Sequence, residues 1–182
     1  MYKPNRVKKV KIRICGFGGQ GILLAGEILG AAAVIDGKNA AVMGSYGAEA
    51  RGTSTISDVT ISNEKIGFPI IDKCDILVAM SQQAFNMNIG ILKEDGIVIV
   101  DEDLVKIPKE LEKKALKIRA TKIAEEKYNR IVANMVMLGY LVSKTKVVTI
   151  EALKKAVKDR VTRMIEINLA AIDEGVKLGS EL

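Results

Sequence analysis

The residues best placed by type and spacing to do chemistry are found at positions 12–21, IRICGFGGQG. Gly16, Gly18 and Gly21 meet the G-x-G-x-x-G spacing of a dinucleotide-binding turn, with Gly19 and Gln20 inside it. Glycines let the backbone turn tightly, and unpaired amides at the start of the following helix attract an anion. A nicotinamide site also calls for an acid at the end of the second strand, to hold the ribose hydroxyls. Asp36 has the right count, 20 residues beyond Gly16, but it precedes the second strand; Ser45 and Tyr46 stand where the acid belongs. The fingerprint is therefore incomplete, and a stand-alone NAD(P)-binding oxidoreductase is the less favoured reading. The bland alternative is a turn whose glycines only let a strand and a helix approach closely.

Three further groups could join this turn. The segment SYGAEARGT (45–53) brackets Glu49 and Arg51 with Gly47 and Gly52, which permit unusual backbone angles. In a Rossmann-like sheet this loop leaves the carboxyl edge beside the glycine turn, where ligands bind. Arg51 could grip a phosphate or carboxylate with two N–H groups, Glu49 could orient it, and Tyr46 enters the loop; a solvated ion pair is the plain alternative. Ser81 and Gln82 follow another parallel-type strand towards the same edge, where helix capping would also account for them. Asn134 sits in a helix of Ala, Met, Val and Leu. A buried amide needs partners, so it is expected to bond to a nearby loop or strand end.

Composition narrows the chemistry. The chain has no His, which removes Ser-His and Cys-His nucleophile activation and most zinc sites. Its two cysteines, Cys15 and Cys74, have neither metal nor redox spacing and read as reduced core thiols. Two thiols also fall short of the four that an iron–sulfur cluster usually needs. The net charge of +6 comes from Lys3, Arg6, Lys8, Lys9, Lys11 and Arg13; the remaining 22 basic and 22 acidic residues cancel. The basic excess is thus a tail and first strand, not a face for nucleic acid. The longest apolar run, at 22–35, is interrupted by Glu27 and too short to span a bilayer. With no signal-peptide pattern either, a cytoplasmic protein without a membrane partner is expected.

The elements that must position these residues follow from periodicity. A basic tail (1–10) precedes a single domain (11–182). Strand-type runs fall at 11–15, 40–46, 55–61, 74–80 and 97–100, and Ser62-Asn63-Glu64-Lys65 reads as an antiparallel hairpin turn into Ile66. Helices are expected at 21–36, from Ser81 to 91, at 120–128 with Thr121 as cap, at 129–145, from Thr149, and at 161–178. The charged stretch 106–117 reads as a solvated face, broken by Pro108. The order predicts an α/β fold: a Rossmann-like three-layer domain with a mostly parallel sheet, antiparallel additions and a helical C-terminal third. The first helix is apolar on nearly all sides, and Gly26 and Gly30 make it a candidate subunit contact.

GFGGQGILLAGEIL, DGKNAAVMGSYGAEARGTST and DILVAMSQQAF, in this order, resemble the gamma subunit of the 2-oxoacid:ferredoxin oxidoreductases, and among these the 2-oxoglutarate type most. The likeness is strong over residues 11–85 and continues through NMVMLGYL and EINLAAIDEG. Thr53 replaces a usual glycine and Ala48 a common proline. The resemblance implies a complex that decarboxylates a 2-oxoacid, forms an acyl-coenzyme A and reduces ferredoxin. It implies alpha and beta catalytic subunits and a ferredoxin-like delta subunit as partners. Thiamine diphosphate, Mg2+ and 4Fe–4S clusters would reside on those partners. This chain, not catalytic alone, would present Gly16, Gly18, Gly19, Gln20, Gly21, Tyr46, Glu49, Arg51, Ser81, Gln82 and Asn134 at an edge that meets coenzyme A or a neighbouring subunit. A purely assembling subunit that touches no ligand is the alternative.

Overall fold

In the computed structural model, which describes residues 9–46 and 54–181, the alternation of Ile12 and Ile14 with Arg13 and Cys15 builds β1 (Lys9–Phe17). α1 (Ile22–Ile35), β2 (Asn39–Tyr46), β3 (Ser54–Ser62), β4 (Cys74–Ala79), α2 (Gln82–Asn88), β5 (Leu92–Asp101) and β6 (Ala115–Ile118) follow. α3 (Ala120–Lys127), α4 (Ala133–Thr145), α5 (Ile150–Arg160) and α6 (Ile165–Ser180) complete the chain. The strands form one sheet in the order β2-β3-β1-β4-β5-β6. β1, β4, β5 and β6 pair in parallel, whereas β3 runs antiparallel to both β1 and β2. Five of the six strands therefore end at one edge, which carries the glycine turn.

Each strand feeds two apolar layers because successive side chains alternate between faces. Ile12, Ile14, Ile76, Val78 and Ile99 meet α1 and the C-terminal helices in one large core. Cys15, Leu77, Ala79, Val98 and Val100 meet Ala84 and Phe85 of α2 in a smaller one. The helical third thus shares the core of the sheet. α4 is buried along almost its whole length. It lies so close to α6 that a Cβ on Gly139 or Gly175 would overlap the opposite backbone.

β3 enters between β1 and β2, and a charge pair marks the placement. Arg13 on β1 stands opposite Asp58 on β3. Its Nε donates to Oδ1 at 2.7 Å and its Nη2 to Oδ2 at 2.6 Å, while Nη1 donates to Asn88 Oδ1 at 3.0 Å. Both charged side chains are mostly buried. The two-pronged contact with Asp58 raises the arginine's already high pKa further.

Three local expectations are corrected. The hairpin from Ser62 into Ile66 does not form: β3 already has a partner on each side, and residues 63–73 hold no strand. The charged stretch 106–117 holds no buried residue, as a solvated face should, and it forms a 3-10 helix, Lys109–Lys114, and the start of edge strand β6. β6 escaped the hydrophobic pattern because only Ile118 in it is buried. Thr121 does not cap α3; its own N–H donates to the Asp101 carboxylate at 2.8 Å, at the end of β5. The last helix begins at Ile165 rather than 161, after Met164 takes a left-handed backbone (φ 54°). Ser81 and Thr149 do cap their helices, accepting from the N–H groups of Ala84 and Ala152.

Candidate ligand-binding cleft

β1 delivers the chain to the sheet edge at Phe17, and the turn that follows is held by one side chain. Gln20 Oε1 accepts from Phe17 N at 2.6 Å and its Nε2 donates to the carbonyl of Met80 at 2.8 Å, so the amide ties the ends of β1 and β4 together. Gly16 gives Gln20 and Ile22 the room to pack there. Gly19 (φ 91°) and Gly21 (φ 68°) adopt left-handed backbone that disfavours other residues. Gly21 is the N-cap of α1, with no side-chain cap and no acid in the first turn. The first intrahelical bond runs from Ala25 N to Gly21 O, so the N–H groups ahead of it are free of helical partners. Such an end suits an anion.

Asn134 closes the floor beside this helix end. It is 2% exposed, and its Nδ2 donates to the Gly21 carbonyl at 3.1 Å. A Cβ at Gly21 would overlap that amide, which is why glycine serves here. Asn134 Oδ1 has no hydrogen-bond partner among the described residues, and neither has the buried hydroxyl of Thr55 on β3. Both residues line a cleft of about 540 Å³, with Gly18, Gly19 and Gly21 on one wall. The break before α6, with Arg163 and Met164, also lines it. α6, like α1, starts from a left-handed residue with no side-chain cap.

A second cleft, of about 590 Å³, lies on the other side of the turn, lined by Gln20, Ser81, Gln82 and Arg130 among others. Its predicted residues are already engaged. Ser81 caps α2, and Gln82 exchanges hydrogen bonds with the backbone of Lys106 at 2.7 and 3.2 Å. Arg130 pairs with Glu125 at 3.2 Å. Of the predicted site residues, Gly18, Gly19, Gly21, Tyr46 and Asn134 meet at the first cleft. Gln20, Ser81 and Gln82 border the second, and Gly16 is a packing residue. Glu49 and Arg51 lie outside the described residues. Arg163 and Thr55 were missed: an isolated cation ahead of a helix and a threonine in an alternating strand carry no signal in sequence.

Two other expectations have outcomes here. The glycines of α1 face the sheet: a Cβ on Gly26 would overlap Ser57, and one on Gly30 would overlap Val42. They seat the helix on β3 and β2. Both thiols are buried, and burial pushes Cys15 up to about 12 and Cys74 up to about 11. Among the described residues no group of His, Cys, Asp and Glu could hold a metal ion, and no helix is long and apolar enough to cross a membrane. The assembled chemistry is that of binding: amides, an acceptor, a hydroxyl and a guanidinium around an apolar cleft.

A six-stranded, mixed α/β sheet with a glycine turn at its carboxyl edge defines a Rossmann-like class of domain. Residues 11–178 match the Pyruvate ferredoxin/flavodoxin oxidoreductase family, and the chain belongs to it. It is 49% identical to the 2-oxoglutarate synthase subunit KorC of Methanocaldococcus jannaschii, over 98% of each chain. The crystal structure of the keto/oxoacid ferredoxin oxidoreductase gamma subunit from Geobacter sulfurreducens superposes with a TM-score of 0.83 at 38% identity. It covers 95% of this chain and 99% of that one. The 2-oxoglutarate:ferredoxin oxidoreductase of Magnetococcus marinus, solved with 2-oxoglutarate, coenzyme A and succinyl-CoA, matches with a TM-score of 0.85 at 26% identity. There the match takes in 96% of this chain but 32% of the other. The chain is a subunit of an oxidoreductase complex, of the gamma type.

Proposed function

We propose that this gamma-type subunit serves a complex that oxidises 2-oxoglutarate, with coenzyme A and two ferredoxins, to succinyl-coenzyme A, CO2 and two reduced ferredoxins. Its own task would be to line the coenzyme A side of the site. One observation carries the reading: the uncapped N-terminus of α1 opens into a cleft beside Asn134, whose buried Oδ1 lacks a partner among the described residues. A phosphate suits the helix end, and an N–H or O–H of the same ligand suits the oxygen. The 2-oxoglutarate assignment is supported by the near full-length likeness to a 2-oxoglutarate synthase subunit.

Alpha and beta catalytic subunits and a ferredoxin-like delta subunit complete the proposed complex, in the cytoplasm. Thiamine diphosphate with Mg2+ and 4Fe–4S clusters would supply decarboxylation and electron transfer from those partners; the two deeply buried thiols here suit neither role. This chain contributes positioning and electrostatics. A role in assembly alone is favoured by a different feature. β2 is an uncharged edge strand with Val42, Met43 and Tyr46 exposed, which invites a covering surface.

Purification of the complex through a tag on this chain tests the proposal. It should yield coenzyme A-dependent ferredoxin reduction, fastest with 2-oxoglutarate when compared with pyruvate and 2-oxoisovalerate. A complex that prefers pyruvate would overturn the substrate assignment. A free chain that oxidises substrate with NADP+ would overturn the whole reading.

A further inference from the structure

We propose that the β2 edge of the sheet seats a second copy of this chain, β2 pairing antiparallel with itself across a two-fold axis at Met43. The inference is independent of where coenzyme A binds. The two outer strands of the sheet are built differently. β6 has four residues, carries Lys117 and follows directly on a charged 3-10 helix, features that discourage pairing. β2 has eight residues with no charge and no proline, and residues 42–46 are all exposed. Its outward N–H and C=O groups meet no further strand among the described residues. Such an edge is a template for another strand.

Three features favour a copy of this chain over an unrelated strand. A two-fold axis normal to the sheet makes the paired strands antiparallel, and β2 already lies in an antiparallel run with β3 and β1. With Met43 on the axis, Val42 stands opposite the partner's Gly44, Ala41 opposite the partner's Ser45 and Ala40 opposite the partner's Tyr46. Each large side chain then meets a small one. The third feature is a groove of about 380 Å³ between β2, α1 and the end of α5. Val34, 60% exposed, lines it with Ile35 and Val42, and Glu27, Asp159 and Arg160 supply charges of both signs. None of these three has an ion pair among the described residues. The groove places α1 on one face of β2, so the two-fold puts both copies of α1 on that face and joins the two grooves into one trench. Its apolar lining leaves water, and a rim of both signs meets its own copy with cation available to carboxylate.

Sedimentation and cross-linking of the full chain, alone and in the purified complex, test this. The free chain should sediment at twice the 19.7 kDa of one copy. Met43→Cys should form an intermolecular disulfide on oxidation, since opposed residues of an antiparallel pair have Cα atoms about 4.5–5.5 Å apart, within disulfide reach. Ala41→Cys alone should not cross-link, whereas its mixture with Ser45→Cys should. Cys15 and Cys74 are buried and leave the readout clear. Met43→Lys, at a side chain 44% exposed, should keep the circular dichroism of the parent chain. It should weaken association at least about tenfold, because it sets two cations face to face. The Met43→Cys cross-link should also form in the complex, which then holds two copies of this chain. A monomeric free chain, or a dimer untouched by Met43→Lys, would overturn the inference. So would an Ala41→Cys homodimer in place of the Met43→Cys one, or a complex in which a catalytic subunit covers β2 and the Met43→Cys cross-link is absent.

Discussion

Replacing Gly21 by alanine tests the construction of the cleft at its tightest point. Gly21 has φ 68°, where a Cβ costs about 1–2 kcal/mol. The same Cβ would overlap the Asn134 amide, so the side chain must move and its bond to the Gly21 carbonyl is lost. A buried donor left without its acceptor costs a further ~1–3 kcal/mol. Together these set a destabilisation of roughly 2–5 kcal/mol for Gly21→Ala. Gly18→Ala is the control: no left-handed backbone and ordinary clearance put its effect within about 0.5 kcal/mol. Urea unfolding of the full chain, followed by circular dichroism, measures both. The double variant Gly21→Ala/Asn134→Ala adds a sharper criterion, because removing the asparagine removes the clash and the two effects should fall well short of their sum. Equal midpoints for Gly21→Ala and Gly18→Ala, or strict additivity in the double variant, would refute this account of the turn.

Three further outcomes follow from other parts of the molecule. Arg13→Ala should destabilise the chain by about 3–5 kcal/mol, since it strands the buried Asp58 carboxylate and Asn88, and urea midpoints will read it. Burial holds the Asp101 carboxyl above the usual aspartate range, so the folded state binds more protons than the unfolded one, and stability should decline as pH rises from the ordinary carboxyl value through the raised one. Asp101→Asn keeps an acceptor for Thr121 N and should flatten that decline in unfolding curves taken between about pH 4 and about pH 7. Finally, Cys15 and Cys74 should resist thiol reagents in the folded chain at neutral pH and both react after unfolding; rapid labelling of the native protein would contradict their burial.

The strand–turn–helix unit was legible because alternating isoleucines, spaced glycines and a small-residue helix each impose one local geometry. Asn134 was legible for a different reason: an amide among apolar residues must find a partner, and it found the Gly21 carbonyl. Pairing was harder. Nothing local to residues 54–62 says that this strand enters between β1 and β2, and the Arg13–Asp58 pair that marks it spans 45 positions. β6 stayed hidden because an edge strand with one buried residue has little alternation to read. The inward packing of Gly26 and Gly30 depends on Ser57 and Val42 standing opposite them, which only the sheet order determines.

A structure of the assembled complex with coenzyme A bound tests the central claim most directly. The account predicts phosphate density between the glycine turn of residues 17–21 and the segment at 161–168, within hydrogen-bond reach of the α1 amides. Coenzyme A bound wholly on the partner subunits, with this cleft empty or filled by a partner side chain, would contradict it.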